Sequence, residues 1–385
     1  MKQTFLVQQL FDGQSYIDNA AIMTENGIIT QIVANVTEAS TLSLAHDCQL
    51  ITLKGMIVPG FIDIQVNGGG GALFNAQPSL ACIKTIAKAH AAFGTTAFLP
   101  TVITDDITVM QQAADAVALA MSEKTPGVLG IHFEGPHLSV PKKGVHPAHY
   151  VREVSAAELA LFTRQDLGHK VVTLAPENVA PEVITQLVKA GVKVCLGHSN
   201  ADYQTVVNAI NAGAVGFTHL FNAMSALNSR EPGMVGAALE DDNTWCGLIV
   251  DGHHVHYAAA KVALRSKPQG KIMLVTDAMP PVGQSNDASF ELFGTQVIRQ
   301  GDRLNTPTGE LAGCVLDMNG AVNNSVKLLG VSRDEALRMA SQYPADFLGI
   351  SQTHGAIKVG QTANMVLLNE HSQVVSTYIH GQVLV

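Results

Sequence analysis

Eight short apolar runs, most of them followed by a segment with helical spacing, constrain the fold of this chain more than any other feature. The runs are MIVPGFIDIQVNG, TTAFLPTVIT, VLGIHFEG, VVTLAPE, KVCLGHS, VGFTHLFN, WCGLIVDGHHV and IMLVTDAM. Segments such as LACIKTIAKAHAAFG and PEVITQLVKAGV lie between them, with a Gly at or near the end. Continuous apolar strands that alternate with helices are typical of a parallel sheet covered on both faces. Eight such units predict an α/β fold of the (β/α)₈ TIM-barrel type rather than an open, doubly wound sheet.

Both ends of the chain have a different, β-rich pattern. The first part contains TFLVQQLFDG, NAAIMTENGIITQIVA and CQLITLKGMIVPG, runs rich in β-branched residues and separated by Asp-Gly and Asn-Gly turn signals. The last part carries two further strand-like runs and no long helical pattern. We therefore predict that 1–56 and 355–385 together form a small β-sandwich domain and that 57–354 form the barrel. We expect residues 280–316, with the turn-rich PPVG, SND and NTPTGE, to form a long loop after the eighth strand.

The composition favours a large folded core and argues against several kinds of partner. Apolar residues make up 47% of the chain and charged residues 14%, the reverse of a disordered composition. The net charge of −9 offers no basic surface for nucleic acid or an anionic membrane. No run approaches the ~20 apolar residues that cross a bilayer, and the start of the chain lacks a secretory signal. We expect a cytoplasmic protein that binds neither nucleic acid nor membrane, with its five cysteines as reduced thiols.

Polar side chains end most of the predicted barrel strands. The C-terminal strand ends of such barrels form the active site, so these side chains are candidates for it. Six of the eight runs end this way, with Gln65 and Asn67 in the first, Glu134 in the third, His198 in the fifth, His219 in the sixth, Asp251 to His254 in the seventh and Asp277 in the eighth. Any one of them could be a capping or turn residue. Their joint placement favours a functional site.

Three of these residues form a set of metal ligands. Glu134, His198 and His219 combine a carboxylate with two imidazoles, which suits a divalent cation such as Zn²⁺. Three protein ligands leave a fourth position for water, and a metal at such a site lowers the pKa of that water toward neutrality. Asp277, if it lies opposite, could accept the water's proton and give it to a leaving group. A lone buried His is more often a core residue, but the position of both at strand ends favours ligation.

Longer motifs surround the same residues. They are PGFIDIQVNG at 59–68, EGPH at 134–137 with KKGVH at 142–146, GHS at 197–199, THLFNAM at 218–224, DGHH at 251–254 and TDA at 276–278. With these motifs the chain resembles, over essentially its full length, the amidohydrolase superfamily and, within it, the N-acetylglucosamine-6-phosphate deacetylases. The first motif indicates only the superfamily, whereas EGPH, THLFNAM and DGHH together indicate the deacetylases. The resemblance implies hydrolysis of N-acetyl-D-glucosamine 6-phosphate to D-glucosamine 6-phosphate and acetate.

The resemblance also implies roles for individual residues. Glu134, His198 and His219 would bind the metal. Asp277 would be the general acid and base, and His146 would hydrogen-bond the substrate carbonyl and the developing oxyanion. The implied substrate contacts are Gln65, Asn67, His146, Asn222, Ala223, Arg230, Asp251, His254, Leu311, Ala312 and Gly313. Of these, Arg230 and His254 would supply cationic contacts to the phosphate, and members of the family are commonly homodimers.

One part of the chain departs from the superfamily pattern. Many amidohydrolases carry His-x-His at the end of the first strand and a modified Lys at the end of the fourth, and these residues hold two metals. Here the corresponding residues are Gln65-x-Asn67 and Ala175-Pro176-Glu177. Because amides are weak metal ligands, we predict one divalent metal ion, Zn²⁺. We expect Gln65 and Asn67 to hydrogen-bond the bound water or the acetyl group instead.

Three alternatives stay open at this point. The first is the same chemistry on the galactosamine epimer, since one hydroxyl orientation separates the two sugars. The second is another amidohydrolase activity, on a cyclic amide or a nucleobase, which would have no use for the pair Arg230 and His254. The third is a catalytically inactive barrel that serves as a scaffold, which need not hold a stoichiometric metal.

Overall fold

The strands predicted at both ends and in the middle of the chain are present in the computed structural model, which describes residues 1–37, 48–309 and 311–385. In chain order the strands are β1 (Lys2–Phe11), β2 (Tyr16–Glu25), β3 (Ile28–Val33), β4 (Gln49–Pro59), β5 (Phe61–Val66), β6 (Gly68–Gly69), β7 (Ala72–Leu73), β8 (Thr95–Ile103), β9 (Gly130–Glu134), β10 (His169–Leu174), β11 (Val192–Leu196), β12 (Gly216–Phe217), β13 (Trp245–Leu248), β14 (Ile272–Leu274), β15 (Ser289–Leu292), β16 (Thr295–Gln300), β17 (Arg303–Asn305), β18 (Leu311–Cys314), β19 (Met365–Leu368), β20 (Val374–Ile379) and β21 (Gln382–Val383). The α-helices are α1 (Leu80–Ala91), α2 (Ile107–Ser122), α3 (Ala156–Phe162), α4 (Pro181–Lys189), α5 (Tyr203–Asn211), α6 (Gly233–Glu240), α7 (Tyr257–Ser266), α8 (Met318–Asn324), α9 (Arg333–Ala340) and α10 (Gln342–Leu348).

Eight of these strands form the predicted barrel. Their order in the sheet is β14-β13-β12-β11-β10-β9-β8-β5, and the registered pairs are parallel. The two outer strands of this order meet, because Val66 forms a parallel bridge with Ala278 and the Asp277 backbone N–H donates to the Gln65 carbonyl at 3.0 Å. The prediction of a (β/α)₈ barrel is therefore confirmed. In such a barrel the loops after the strands lie together at one end.

Local capping signals determine where several barrel helices begin. Asp106 accepts from the backbone N–H of Thr108 at the start of α2, and Asp202 accepts from that of Thr205 at the start of α5. At the start of α3, Ser155 and Glu158 form a capping box. Such side chains satisfy backbone N–H groups that have no partner within the helix. The caps therefore define the ends of the strand-to-helix loops that carry polar side chains.

A seven-stranded sheet joins the two ends of the chain. Its order is β21-β20-β19-β4-β1-β2-β3, and β19 pairs antiparallel with β4, with Met365 opposite Pro59. The sheet buries an apolar cluster in which the rings of Phe5 and Tyr378 pack edge to face at 5.3 Å between centroids. The prediction of a separate β domain assembled from both termini is confirmed.

The segment after the eighth barrel strand is not the long loop predicted from the sequence. It contains a four-stranded antiparallel sheet in the order β15-β16-β17-β18. The prediction was wrong because these strands are only three to six residues long, so the turn residues between them dominate the sequence pattern. The sheet nevertheless buries Val297, Leu304 and Ala312 in a small apolar cluster, which also contains Leu73, Ile103 and Met279 from outside the sheet. It thereby gives residues Leu311–Cys314 a fixed backbone.

The described residues pack as two compact units. One comprises Met1–Asp63, Lys88–Ala97 and Met318–Val385, and the other comprises Ile64–Ala87 and Phe98–Asp317. The domain limits placed after residues 56 and 354 stay a prediction. Across the described ranges, no helix combines the length and apolar character that crossing a membrane requires.

Candidate active site

Three side chains from three strand ends converge in the second unit. Glu134 ends β9, His198 follows β11 and His219 follows β12. Glu134 Oε1 lies 3.0 Å from His198 Nε2 and 2.9 Å from His219 Nε2, and the two Nε2 atoms are 3.0 Å apart. All three side chains are buried. The structure therefore brings the predicted ligand set together around one point.

The hydrogen bonds of His198 show which of its atoms face that point. Its Nδ1 lies 2.9 Å from the Lys142 carbonyl, which can only accept, so Nδ1 carries the hydrogen. In the neutral ring Nε2 then presents a lone pair to the carboxylate oxygen of Glu134. Two acceptors this close repel each other unless a proton or a cation lies between them. One carboxylate oxygen and two imidazole nitrogens form the donor set of a catalytic zinc site, so these residues fit a divalent metal.

The electrostatics of the site favour an ionised Glu134. Burial opposes ionisation, but when the rings of His198 and His219 carry a proton on Nε2, their hydrogen bonds to Glu134 outweigh it and hold the pKa of the Glu134 carboxyl well below its usual range. Burial also lowers the pKa of His219, yet the hydrogen bond to Glu134 and its negative charge raise that pKa overall. A buried anionic carboxylate requires a positive partner. A bound cation would provide one.

Asp277 lies beside this set and is held by two amide side chains. Its Oδ1 accepts from Gln65 Nε2 at 3.1 Å and from Asn67 Nδ2 at 2.6 Å. Gln65 Nε2 also donates to Glu134 Oε2 at 3.2 Å, so one amide joins the two carboxylates. Burial, followed by the negative charge of Glu134, raises the pKa of Asp277. A carboxyl group with a raised pKa is suited to proton transfer near neutral pH.

His146 lies in the loop after β9, against the same ligands. Its ring centroid is 4.4 Å from that of His198, and its Nδ1 is 2.8 Å from Thr104 Oγ1. Burial, followed by the charge of His198, holds the pKa of His146 well below its usual range. The ring is therefore neutral near pH 7. Thr104 directly follows β8 and was not predicted as a site residue, although the strand-end argument applied to the second barrel strand would have found it.

A cleft of about 660 Å³, including its open mouth, lies over these side chains. The predicted residues that line it are Asn67, Glu134, His146, His198, His219, Asn222, Ala223, His254, Asp277, Leu311 and Gly313. Ile103 and Met279 add apolar surface. Most of the predicted site residues are therefore brought into one cleft.

The remaining predicted residues do not line this cleft. Gln65 is buried between the two carboxylates, and Ala312 is buried between its two neighbours in β18. Arg230 is exposed in the loop before α6 and is not among the described residues that line the cleft. Arg230 therefore does not line the cleft of its own chain, and its contact with a bound substrate stays a prediction.

Asp251 does not line the cleft itself but holds the ring of His254, which does. Asp251 Oδ1 accepts from the backbone N–H groups of His253 and His254, at 2.9 and 2.8 Å. Its Oδ2 accepts from His254 Nδ1 at 2.6 Å. Burial opposes ionisation of Asp251, but the bond from His254 outweighs it and lowers the pKa of the carboxyl. The ring of His254 is thereby oriented, with Nε2 as the nitrogen that can meet a ligand.

Four of the predicted site residues have a left-handed backbone. The φ angles are +49° at His198, +35° at His219, +52° at Ala223 and +53° at Asp277. This conformation costs a non-glycine residue about 1–3 kcal/mol and persists only where the surroundings hold it in place. Backbone bonds do so here, since Thr218 N–H donates to the Leu196 carbonyl and Asp277 N–H donates to a neighbouring strand.

The chain is similar to known proteins over most of its length. The family model described as "Amidohydrolase family" matches residues 56–384. An N-acetylgalactosamine-6-phosphate deacetylase of Shewanella sp. (strain ANA-3) is 49% identical over 95% of this chain and 92% of that protein. An N-acetylglucosamine-6-phosphate deacetylase of Haemophilus influenzae is 33% identical over 93% of each chain.

Solved structures agree with these relatives. The crystal structure of N-acetylglucosamine-6-phosphate deacetylase from Pasteurella multocida superposes with a TM-score of 0.93 at 34% identity, over 100% of this chain and 99% of that chain. The predicted family and the predicted enzyme class are confirmed. The chain therefore belongs to the amidohydrolase family and is a hydrolase that acts on an amide bond.

Proposed function

We propose that this enzyme removes the acetyl group from N-acetyl-D-glucosamine 6-phosphate and releases D-glucosamine 6-phosphate and acetate. The observation that carries the proposal is the convergence of Glu134, His198 and His219 in one cleft with Asp277 and His146. These side chains provide a cation site, a proton carrier and a hydrogen-bond donor for a carbonyl. Metal-assisted hydrolysis of an amide by water uses all three.

The proposed cofactor is one divalent metal ion, Zn²⁺, held by Glu134, His198 and His219. When bound, such an ion acts as a Lewis acid and lowers the pKa of a water molecule. The amides of Gln65 and Asn67 support a single metal, because they donate to Asp277 where many amidohydrolases have two His ligands.

Asp277 carries the proton in the proposed mechanism. Both amide donors use its Oδ1, which leaves Oδ2 as the atom that accepts a proton from the attacking water. The raised pKa of Asp277 lets the carboxyl hold that proton while the tetrahedral intermediate forms. Asp277 then gives the proton to the leaving amine, and the carbon–nitrogen bond breaks. Acetate and the free amino sugar result.

His146 and Asn67 are proposed to orient the acetamide. The one proton of the Thr104 hydroxyl has two acceptors within reach, His146 Nδ1 at 2.8 Å and the Glu134 backbone carbonyl at 3.2 Å. When the hydroxyl donates to His146 Nδ1, the neutral ring carries its hydrogen on Nε2 and can donate it to the carbonyl oxygen. Asn67 Oδ1 is buried and has no hydrogen-bond partner among the described residues. It is an acceptor for the N–H of the acetamide. Together the two side chains would bind both polar ends of the scissile amide.

The phosphate is proposed to bind near His254, with Asn222 and Ala223 on the same wall of the cleft. Because Arg230 is exposed outside this wall, the proposed contact from Arg230 to the phosphate belongs to a partner subunit in a homodimer. The proposed location is the cytoplasm, where a charged sugar phosphate is retained because a bilayer excludes ions.

The second candidate substrate is N-acetyl-D-galactosamine 6-phosphate. The observation that favours it is the 49% identity to a protein named for that epimer, against 33% to one named for the glucosamine epimer. The metal ligands, Asp277 and His146 serve both sugars in the same way. The choice between the two therefore depends on how the cleft receives one ring hydroxyl.

Acetate release from both phosphorylated sugars and from unphosphorylated N-acetylglucosamine tests the proposal. We expect turnover of the phosphorylated sugars alone, with the glucosamine epimer preferred, and a loss of about 10²–10⁴-fold in Asp277→Asn. A preference for the galactosamine epimer would replace the first substrate by the second. No turnover of either sugar by protein that holds one equivalent of metal would contradict deacetylation and favour a cyclic amide. Protein that holds no metal at all would support a scaffold.

A further inference from the structure

The large apolar side chains that line the cleft differ in how deeply they lie. Among the described residues, Ile103 and Met279 are buried, each 2% exposed, whereas Val145 and Leu311 are partly exposed. We propose that Ile103 and Met279 receive the methyl of the acetyl group and limit the length of the acyl chain that the enzyme removes. This acyl specificity deepens the proposed function and rests on it.

The position of the phosphate determines where the acetamide points. In a hexopyranose ring, C2, which carries the acetamide, lies opposite C5, which carries the phosphorylated arm. The proposed phosphate contacts follow β12 and β13, at Asn222, Ala223 and His254. In the closed order of eight strands, β8 is four strands from β12 in either direction. Ile103, the last residue of β8, therefore lies across the barrel from the phosphate, on the side that the acetamide reaches.

The geometry of the amide directs its methyl to the same strands. A secondary amide is planar and trans, so the methyl and the N–H lie on the same side of the carbon–nitrogen bond. Asn67 Oδ1 is the proposed acceptor for that N–H, and Asn67 directly follows β5. The neighbours of β5 in the barrel are β8 and β14, which lead to Ile103 and Met279. The methyl is therefore directed between these two side chains.

The surroundings of both residues leave their side chains little freedom to move. The Asn75 side chain accepts from the Ile103 backbone N–H at 2.9 Å and donates to the Ile103 carbonyl at 3.0 Å. A Cβ at Gly313 would lie 2.5 Å from Met279 Cγ, so the backbone of β18 lies directly against the Met279 side chain. Ile103 and Met279 also belong to one buried apolar cluster. A longer acyl chain cannot displace them without disrupting this packing.

Removal of a longer acyl group tests this limit. N-acetyl- and N-butanoyl-D-glucosamine 6-phosphate release the same amino sugar, so one assay of the free amine measures both reactions. A butanoyl group adds two methylenes, and each extra methylene in an apolar pocket costs about 10–200-fold in kcat/KM. We therefore expect kcat/KM of the unaltered, metal-loaded enzyme to be at least about 100-fold lower for butanoyl than for acetyl.

Two variants enlarge the site from two different strands. Ile103→Ala and Met279→Ala each shorten an apolar side chain to a methyl, which makes room for the additional carbons. Each should raise the butanoyl-to-acetyl ratio of kcat/KM about tenfold or more, because the longer chain no longer meets a filled wall. Leu304→Ala is the matched control, since Leu304 belongs to the same apolar cluster but is not among the described residues that line the cleft. Its ratio should equal that of the unaltered enzyme.

The ratio separates specificity from stability. Both substrates meet the same folded fraction of each protein, so misfolding cancels in the ratio, and Met279→Ala decides the matter if Ile103→Ala does not fold. Equal kcat/KM for both acyl groups in the unaltered enzyme would overturn the proposal, as would a ratio that is unchanged in both variants or equally raised in Leu304→Ala. If the unaltered protein holds one equivalent of metal yet removes neither acyl group, the proposed function itself fails and the acyl site fails with it.

Discussion

Thr104 Oγ1 lies 2.8 Å from His146 Nδ1 and 3.2 Å from the Glu134 backbone carbonyl, so the direction in which its one proton points determines which nitrogen of the ring can donate to a substrate. Replacement of Thr104 by Val keeps the shape and removes the hydroxyl. Nδ1 then loses its partner, and the ring can place its hydrogen on either nitrogen. An unsatisfied buried polar group costs about 1–3 kcal/mol, so we expect kcat to fall about 10–100-fold with a smaller change in KM. Steady-state acetate release measures both constants.

Thr104→Ser is the matched control for this prediction. It restores a hydroxyl at the same position and should recover most of kcat. If Thr104→Val lowers only the melting temperature and leaves kcat unchanged, Thr104 has a structural role and does not position His146.

Removal of the negative charge at Glu134 should weaken metal binding. Glu134→Gln keeps the size of the side chain but replaces an anionic ligand by an amide, and His198 and His219 then face each other without a carboxylate. Loss of a residue that only orients a metal ligand lowers the affinity for the metal about 10–100-fold. Because Glu134 is itself a proposed ligand, we expect a larger fall in the affinity for the metal. Competition with a coloured chelator measures it. Glu240→Gln, at the end of α6, is the control and should bind metal as the unaltered enzyme does.

Glu158 should make the free energy of unfolding depend on pH in the acidic range. Burial raises the pKa of its carboxyl, but hydrogen bonds from Ser155 and Arg152 outweigh this and lower it to about 2. Because the folded-state pKa lies below the unfolded value of about 4.3, the stabilisation is complete above pH 4.3 and is lost as the pH falls toward 2. Glu158→Gln should therefore lower the free energy of unfolding near pH 7 by on the order of 3 kcal/mol.

Urea unfolding between pH 2 and pH 7 checks this prediction. The Glu158→Gln protein should lack the part of the pH dependence that lies between the two pKa values. Glu153→Gln, in an exposed position of the loop before α3, should leave the curve unchanged. An identical pH dependence with and without the Glu158 carboxyl would show that the pair Arg152 and Glu158 does not stabilise the fold through ionisation.

The left-handed residues allow a prediction about the order of two variants. Ala is normally more favourable than Gly within a folded chain, but at a positive φ the order reverses, because Gly has no Cβ to clash. At His219, where φ is +35°, the Gly variant should therefore unfold at a higher temperature than the Ala variant. At Glu134, inside the extended strand β9, Ala should be the more stable of the two. The same order at both positions would mean that the backbone of His219 is not strained.

Patterns within single segments allowed much of this fold to be predicted. The eight barrel strands were found because their residues are apolar without interruption, and Glu134, His198 and Asp277 were found because each lies where such a run ends. The four strands β15–β18 were missed because each is too short to show an alternation. A short strand and a turn look alike over three or four residues.

The partners of polar side chains could not be predicted in the same way. The contact of Gln65 with water or the acetyl group stays a prediction, but its amide also joins Glu134 to Asp277, a residue 212 positions away in the chain, and no pattern in the sequence indicated this. Arg230 is exposed and is not among the described residues that line the cleft, so its contact with the phosphate stays a prediction. Such contacts depend on the register of strands that are distant in sequence and on loop paths, and neither is encoded in a local pattern.

The strained backbone of His198, His219 and Asp277 has a consequence for how inactive relatives would arise. A mutation to glycine at any of these positions would end catalysis and relax the chain at the same time, so folding alone would not remove it from a population. Selection for the reaction therefore opposes the gain in stability that glycine would bring. In a newly sequenced genome, the retention of His, His and Asp at these three positions would mark a barrel whose chemistry is still in use.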